Sequence, residues 1–95
     1  MKNLEQMDMI NARRDDAIVE HFVRNKGRKV FILTESFPFM FIGNIKDVIE
    51  DMIALDVLTT NVAALEGREW YIHIHSINVF YIETGIGEKI PDLKD

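Results

Sequence analysis

The chain has 95 residues, 47% of them apolar, and a formal charge of −5. That is enough for one small core with little surplus stability, and too apolar for disorder outside the ends. The lack of cysteine excludes a disulfide framework and a thiolate metal site. The acidic balance disfavours a nonspecific, charge-driven nucleic-acid binder and leaves room only for a localised site, because phosphate neutralisation calls for a basic footprint.

The opening residues alternate charge and hydrophobicity and lack the apolar core of a signal peptide. Leu4, Met7, Ile10, Ala17, Ile18, Phe22 and Val23 fall near a 3.6-residue period, which predicts a helix over Asp15–Arg24, extending back toward Leu4. Asp15-Asp16 favour its positive end and Gly27 is a natural stop. The basic residues gather in one stretch, Arg24-Asn25-Lys26-Gly27-Arg28-Lys29, with Arg13-Arg14 upstream on a solvated helix face. Lys29–Glu35 then reads as a strand rich in β-branched and aromatic residues, and Ser36-Phe37-Pro38 as a turn. Phe39–Lys46 resumes as a strand, with Gly43 marking a bend or a close backbone approach. Phe37–Ile42 is the densest apolar stretch, but it contains Pro38 and is far too short to span a bilayer. A cytoplasmic protein with no membrane contact is expected.

Asp51–Leu58 has two readings, a third strand or part of one helix from Asp47 to Leu58, since Val48, Met52 and Leu55 share a helical face. Thr59–Gly67 is a connection, with Glu66-Gly67-Arg68 as a hairpin tip. In Tyr71–Glu83 the apolar rhythm changes phase. Ile72 and Ile74 occupy even positions, whereas Ile77, Val79 and Tyr81 occupy odd ones. One flat strand cannot do this without turning its inner face outward, so a tight bend at His75-Ser76 should divide Glu69–His75 from Ile77–Glu83. Gly85, Gly87 and Pro91 break any further regular structure. The expected organisation is one domain: a helical region 1–27, five short antiparallel strands within 28–83 that close into a small bent barrel, and a loose acidic tail 84–95. Closure, or pairing with a neighbour, would deal with the sheet edges.

In order and spacing, these motifs resemble the Sm/LSm family, which includes bacterial Hfq. Ile18 and Phe22, followed by Gly27-Arg28-Lys29-Val30-Phe31-Ile32-Leu33, are similar to the family's short helix and Gly-x-x-Val-x-x-Leu first strand. Gly43-Asn44-Ile45, and Asp47 with Asp51-Met52-Ile53-Ala54-Leu55, resemble its bent second strand and its Asp-x-x-x-Asn-hydrophobic motif. Ile74-His75-Ser76-Ile77 resembles the second Sm motif and the Lys-His-Ala-Ile stretch of Hfq, and Val79–Ile82 the closing strand. The resemblance spans Ile18–Glu83. It implies an N-terminal helix on a strongly bent five-stranded barrel, assembled into a homo-oligomeric ring of about five to eight subunits. Each fourth strand would pair with a neighbour's fifth, through Tyr71, Ile72, Ile74, Val79, Phe80, Tyr81 and Ile82. It also implies single-stranded RNA binding at the pore by Asp47, Ile49, Asp51, His73, His75 and Ser76. Ile49 stands where a stacking ring is usual, Asp51 where the amide of Asn would read a base, and His75-Ser76 where Arg-Gly is usual. Weak or selective binding is the consequence.

Other chemistry finds less support. His73-x-His75 places two imidazoles on one strand face, about 7 Å apart at strand rise, with Asp47 or Asp51 as a third zinc ligand. Alternating exposed histidines are the simpler reading, and no metal or cofactor is expected. No phosphate loop, Gly-x-Ser-x-Gly or nucleophile–base pair occurs, so no catalytic residues are assigned and no enzyme is expected. Trp70, Tyr71, Phe80 and Tyr81 read as core and subunit-interface aromatics rather than a stacking platform. The alternative to RNA binding is a scaffold of the same fold whose acidic surface meets protein partners.

Overall fold

The computed structural model describes residues 16–37 and 39–91. The helix, α1, spans 16–24, and the expected extension toward Leu4, Asp15 and Arg13-Arg14 lie outside the described residues. Phe22 is fully buried, with Ile18 and Val19 packed beside it, as the helical period requires. Asn25 closes the helix by donating its side-chain amide to the His21 carbonyl at 2.7 Å. Gly27 follows at φ +86°, a left-handed turn that directs the chain into the sheet and lets its N–H meet the Ile45 carbonyl at 2.6 Å.

Five antiparallel strands follow: β1 Lys29–Thr34, β2 Met40–Ile49, β3 Met52–Thr60, β4 Glu69–His73 and β5 Ile77–Ile82. The protein is therefore mainly β, an N-terminal helix followed by a five-stranded antiparallel sheet. The order across the sheet is β4-β3-β2-β1-β5. One core joins Phe22 of the helix to Val30, Ile32, Phe41, Ile45, Ile53, Leu55, Val57, Ile72, Ile74 and Ile82.

The helix reading of Asp47–Leu58 gives way to strand. Burying Ile53, Ala54, Leu55 and Val57 on a central strand satisfies its backbone from both β2 and β4. Gly43 lies at a register shift between β2 and β3, where the strands touch. A methyl at that position would collide with the Asp56 carbonyl oxygen and sit 3.0 Å from its carbon and from Leu55 Cγ. The bend expected near His75-Ser76 is a 3-10 turn, Ile74–Ser76, joining β4 to β5. Its two strands lie at opposite margins of the sheet although only three residues separate them, so the sheet must curl to bring its margins near each other.

The inward face of β5 differs from the expected one. Phe80 packs against the core and Ile82 is buried, whereas Val79 and Tyr81 are exposed. Ile77, at the turn, still packs inward, so the odd-numbered apolar rhythm holds at its first residue only. Phe80 turns inward because Phe22 waits there, with ring centroids 4.8 Å apart. The tail expected to be loose is fastened as far as Pro91. No helix or strand forms over 84–91, but Ile90 is buried and hydrogen bonds tie the segment to β1 and β5. No helix among the described residues is long and apolar enough to cross a membrane.

Candidate functional site

The β2–β3 connection is only two residues, Glu50-Asp51. Glu50 sits at φ +54°, a left-handed conformation that a tight hairpin needs and that a non-glycine residue adopts at a cost. This turn is joined to the β4–β5 turn, because the Asp51 carbonyl accepts the Ile74 N–H at 2.9 Å. The Asp51 carboxylate faces both histidines, with Oδ1 3.9 Å from His73 Nδ1 and Oδ2 3.7 Å from His75 Nε2. Ser76 completes the corner by donating its hydroxyl to the His73 carbonyl at 2.8 Å, which stiffens the turn. Asp51 and the distant stretch that holds His73, His75 and Ser76 thus meet at one end of the sheet.

Strand register places two more of the expected residues. Ile49, Met52 and His73 lie in one row across β2, β3 and β4, and Asp47, Ala54 and Tyr71 lie two rows back on the same face. The row between them, Val48, Ile53 and Ile72, faces the core. Ile49 and Asp47 are therefore strand residues of β2. Ile49 is 43% exposed beside the histidines. Asp47 is directed elsewhere: its carboxylate accepts the Val48 N–H at 2.8 Å and pairs with Lys26 at 3.2 Å. Those contacts, the backbone bond first, hold its carboxyl below the ordinary range.

Sequence reasoning missed a second polar group on this surface. Lys46 Nζ contacts the Glu69 carboxylate at 2.7 Å, and Tyr71 hydrogen-bonds the same carboxylate. The Lys46 and Tyr71 contacts hold Glu69 below its ordinary range, while Glu69 in turn raises both Lys46 and Tyr71. Lys46 falls at a register shift between Ile45 and Asp47, so simple alternation gave no hint of its partner.

Of the expected interface residues, Ile72, Ile74 and Ile82 are buried in the chain's own core and Phe80 packs on Phe22. Their backbones, not their side chains, lie at the sheet margins. Tyr71, Val79 and Tyr81 keep exposed side chains there, 54%, 54% and 40% accessible. Trp70 is half exposed and donates its indole N–H to the Leu65 carbonyl at 2.9 Å. Among the described residues no group of three His, Cys, Asp or Glu side chains is placed to hold a metal ion, so His73, His75 and Asp51 do not form the zinc arrangement that their spacing allowed.

The corner can present two imidazoles, a carboxylate and an apolar side chain to a ligand. It offers hydrogen bonds to a base edge or a peptide, but no permanent cation of its own. A scan against protein-family models gives no match, and a search of curated proteins also finds none.

Proposed function

We propose that the chain is a ring-forming protein of Sm-like architecture, and that single-stranded RNA meets the assembled particle at the corner of Ile49, Asp51, His73, His75 and Ser76, with Asp47 alongside. The observation that carries the reading is the strand order. The consecutive strands β4 and β5 end up as the two open margins of one sheet. Open margins invite strand pairing with another chain, and natural proteins usually blunt them with charge, proline or a cover. Here the margins carry exposed Tyr71, Val79 and Tyr81, side chains suited to burial between copies, beside the charged Glu69 of β4. Pairing β4 of one copy with β5 of the next is head-to-tail, and it closes when the rotation per copy divides a full turn. Each closure would repeat the histidine corner around the particle, multiplying contacts that are individually weak. Stacking of bases on rings, here the two imidazoles, with a few hydrogen bonds is the usual physics of single-strand recognition.

Light scattering tests the assembly, and fluorescence anisotropy with oligo-U, oligo-A and mixed RNAs at low salt tests the ligand. A monomer at micromolar concentration rejects the ring. A ring that binds none of the RNAs rejects the RNA reading alone.

One observation favours a second reading, a scaffold for protein partners. Lys26 and Lys46 are each paired with a carboxylate, Asp47 and Glu69, which leaves Asp51 and the net charge to set the field. An acidic surface of this kind suits a basic protein segment. Pull-down from a lysate that recovers RNA without protein counts against it.

A further inference from the structure

The assembly and the histidine corner leave one exposed aromatic pair without a role. Phe37 and Phe39, between β1 and β2, are 65% and 46% exposed. Their rings pack edge to face, with centroids 5.6 Å apart and 82° between the planes, and neither belongs to the core cluster. Phe39 also sits at φ +66°, a conformation that glycine takes freely and a bulky side chain takes only under strain. Three hydrogen bonds hold the turn. The Phe39 N–H donates to the Ser36 carbonyl at 3.0 Å, and the Phe39 carbonyl accepts the Thr34 N–H at 2.8 Å. Thr34 Oγ1 donates to the Ser36 carbonyl at 2.8 Å. A strained residue whose ring the core does not use points to a contact outside the chain.

The charge around the pair selects the partner. Glu35 adjoins it, exposed, and its N–H donates to the Ser76 carbonyl at 3.3 Å, which sets this turn against the β4–β5 turn. That turn in turn meets Glu50-Asp51 through the Ile74 N–H. Across the three turns, residues 34–37, 39, 49–52 and 73–77 include Glu35, Glu50, Asp51, His73 and His75 but no lysine or arginine. The fixed charge at this end is therefore negative. A guanidinium finds both of its partners here, ring faces to stack on and a carboxylate to accept its paired N–H groups. We propose that Phe37 and Phe39, with Glu35, form a docking point for an arginine-bearing segment of a protein partner. The guanidinium lies on a ring face and donates to Glu35. Lysine satisfies the charge but not the flat stacking, so arginine is preferred. The inference rests on the second reading above, a surface that meets a basic protein segment, and is independent of strand pairing between copies.

The test uses the full-length chain and a fluorescent peptide of alternating glycine and arginine, with lysine and citrulline counterparts, read by anisotropy at low salt. The arginine peptide is expected to bind tightest, and the citrulline peptide, which keeps the plane but loses the charge, weakest. Removing either ring is expected to weaken arginine binding about two- to fivefold, and Glu35→Gln about twofold. Phe37→Ala with Phe39→Gly is expected to erase the preference for arginine over lysine. Phe39→Gly alone is expected to raise Tm while it lowers affinity, because it relieves the left-handed strain, so lost binding is not lost folding. Equal binding of the arginine and lysine peptides to the parent chain overturns the proposal, as does unchanged arginine binding in the double variant. A lower Tm for Phe39→Gly assigns its ring to packing and also overturns it. If the double variant loses oligo-U binding while the arginine peptide is inert, the rings serve RNA. If it instead loses self-association by light scattering, they serve a second copy, and either result overturns the docking point. A parent chain that recovers protein from a lysate yet ignores the arginine peptide overturns it too, and leaves the scaffold reading standing.

Discussion

Replacing Gly43 with alanine tests how β2 and β3 are held together. The glycine has no Cβ, and the space a methyl would need is occupied by the backbone of β3, not by a movable side-chain end. The Asp56 carbonyl oxygen blocks it, and the carbonyl carbon and Leu55 Cγ both lie 3.0 Å from the site. Leu55 is itself fully buried, so it has nowhere to retreat. Overpacking that moves backbone costs about 1–3 kcal/mol, and weakening one ladder bond adds about 0.5–1.5 kcal/mol. The stiffer unfolded chain returns about 0.4–1 kcal/mol. A net loss of about 2–3 kcal/mol follows, and at about 4–8 °C per kcal/mol for a domain of this size Tm falls by roughly 10–20 °C. The assay is thermal unfolding by circular dichroism at one fixed protein concentration, since any self-association would make Tm concentration-dependent. Gly27→Ala is the comparison. At φ +86° it suffers backbone strain of about 1–2 kcal/mol, but nothing lies within 4 Å of the new methyl. If Gly43→Ala melts within about 2 °C of the parent, or above Gly27→Ala, then β2 and β3 are not in the contact described.

Glu50→Gly should raise Tm by a few degrees, since relief of the left-handed strain, about 1–2 kcal/mol, exceeds the roughly 0.5–1 kcal/mol of added chain entropy; a lower Tm refutes it. Stability should fall at both ends of the pH range. Asp47 and Glu69 are depressed in the folded chain, so their contribution is present above their ordinary values of 3.8 and 4.5 and is lost as pH falls through the lowered ones. Lys46 and Tyr71 are raised, so theirs is present below 10.5 and 10.0 and is lost as pH rises past them. Glu69→Gln should flatten both limbs at once, read as Tm against pH, because Glu69 is the shared partner. Val79→Lys, which places a charge on the open β5 margin without touching the core, should lower the particle mass by light scattering and leave the circular dichroism spectrum unchanged.

The strands were legible where burial and alternation agree. Val30 and Ile32 of β1, and Ile72 of β4, point inward as the alternation requires. Gly43 was legible because glycine inside a strand has few other uses. The inward face of β5 was not. Ile77, Val79 and Tyr81 share odd parity, but parity cannot tell a face turned to the core from one left for another surface. Phe22, some sixty residues away, decides the matter by offering Phe80 a ring to pack on. The histidine corner was half legible. His73, His75 and Ser76 announced themselves at the break in rhythm, yet their approach to Asp51 depends on the two-residue turn after Ile49 and on the backbone bond from Ile74 to Asp51. The hold on residues 84–91 left no periodic trace, because one buried Ile90 and scattered carbonyl contacts make no pattern.

Margins and corner are mechanically one feature, and this constrains how any activity can be assigned. Ile74–Ser76 is the hinge between β4 and β5, and its Ile74 N–H is held by Asp51, the residue that faces both histidines. A neighbour pairing along β4 would therefore fix the end of the strand that carries His73, and one pairing along β5 would fix the strand that leaves Ser76. Ligand contacts at the corner and strand contacts at the margins would then stabilise the same arrangement of the turn. Each is expected to strengthen the other, by reciprocal linkage. Loss of RNA binding in a monomeric variant such as Val79→Lys would not by itself place the ligand at the margin. His75→Ala separates the two, since its side chain lies on the exposed side of the turn, away from the core. If it leaves particle mass intact and still removes binding, the corner is the ligand site and assembly is its support.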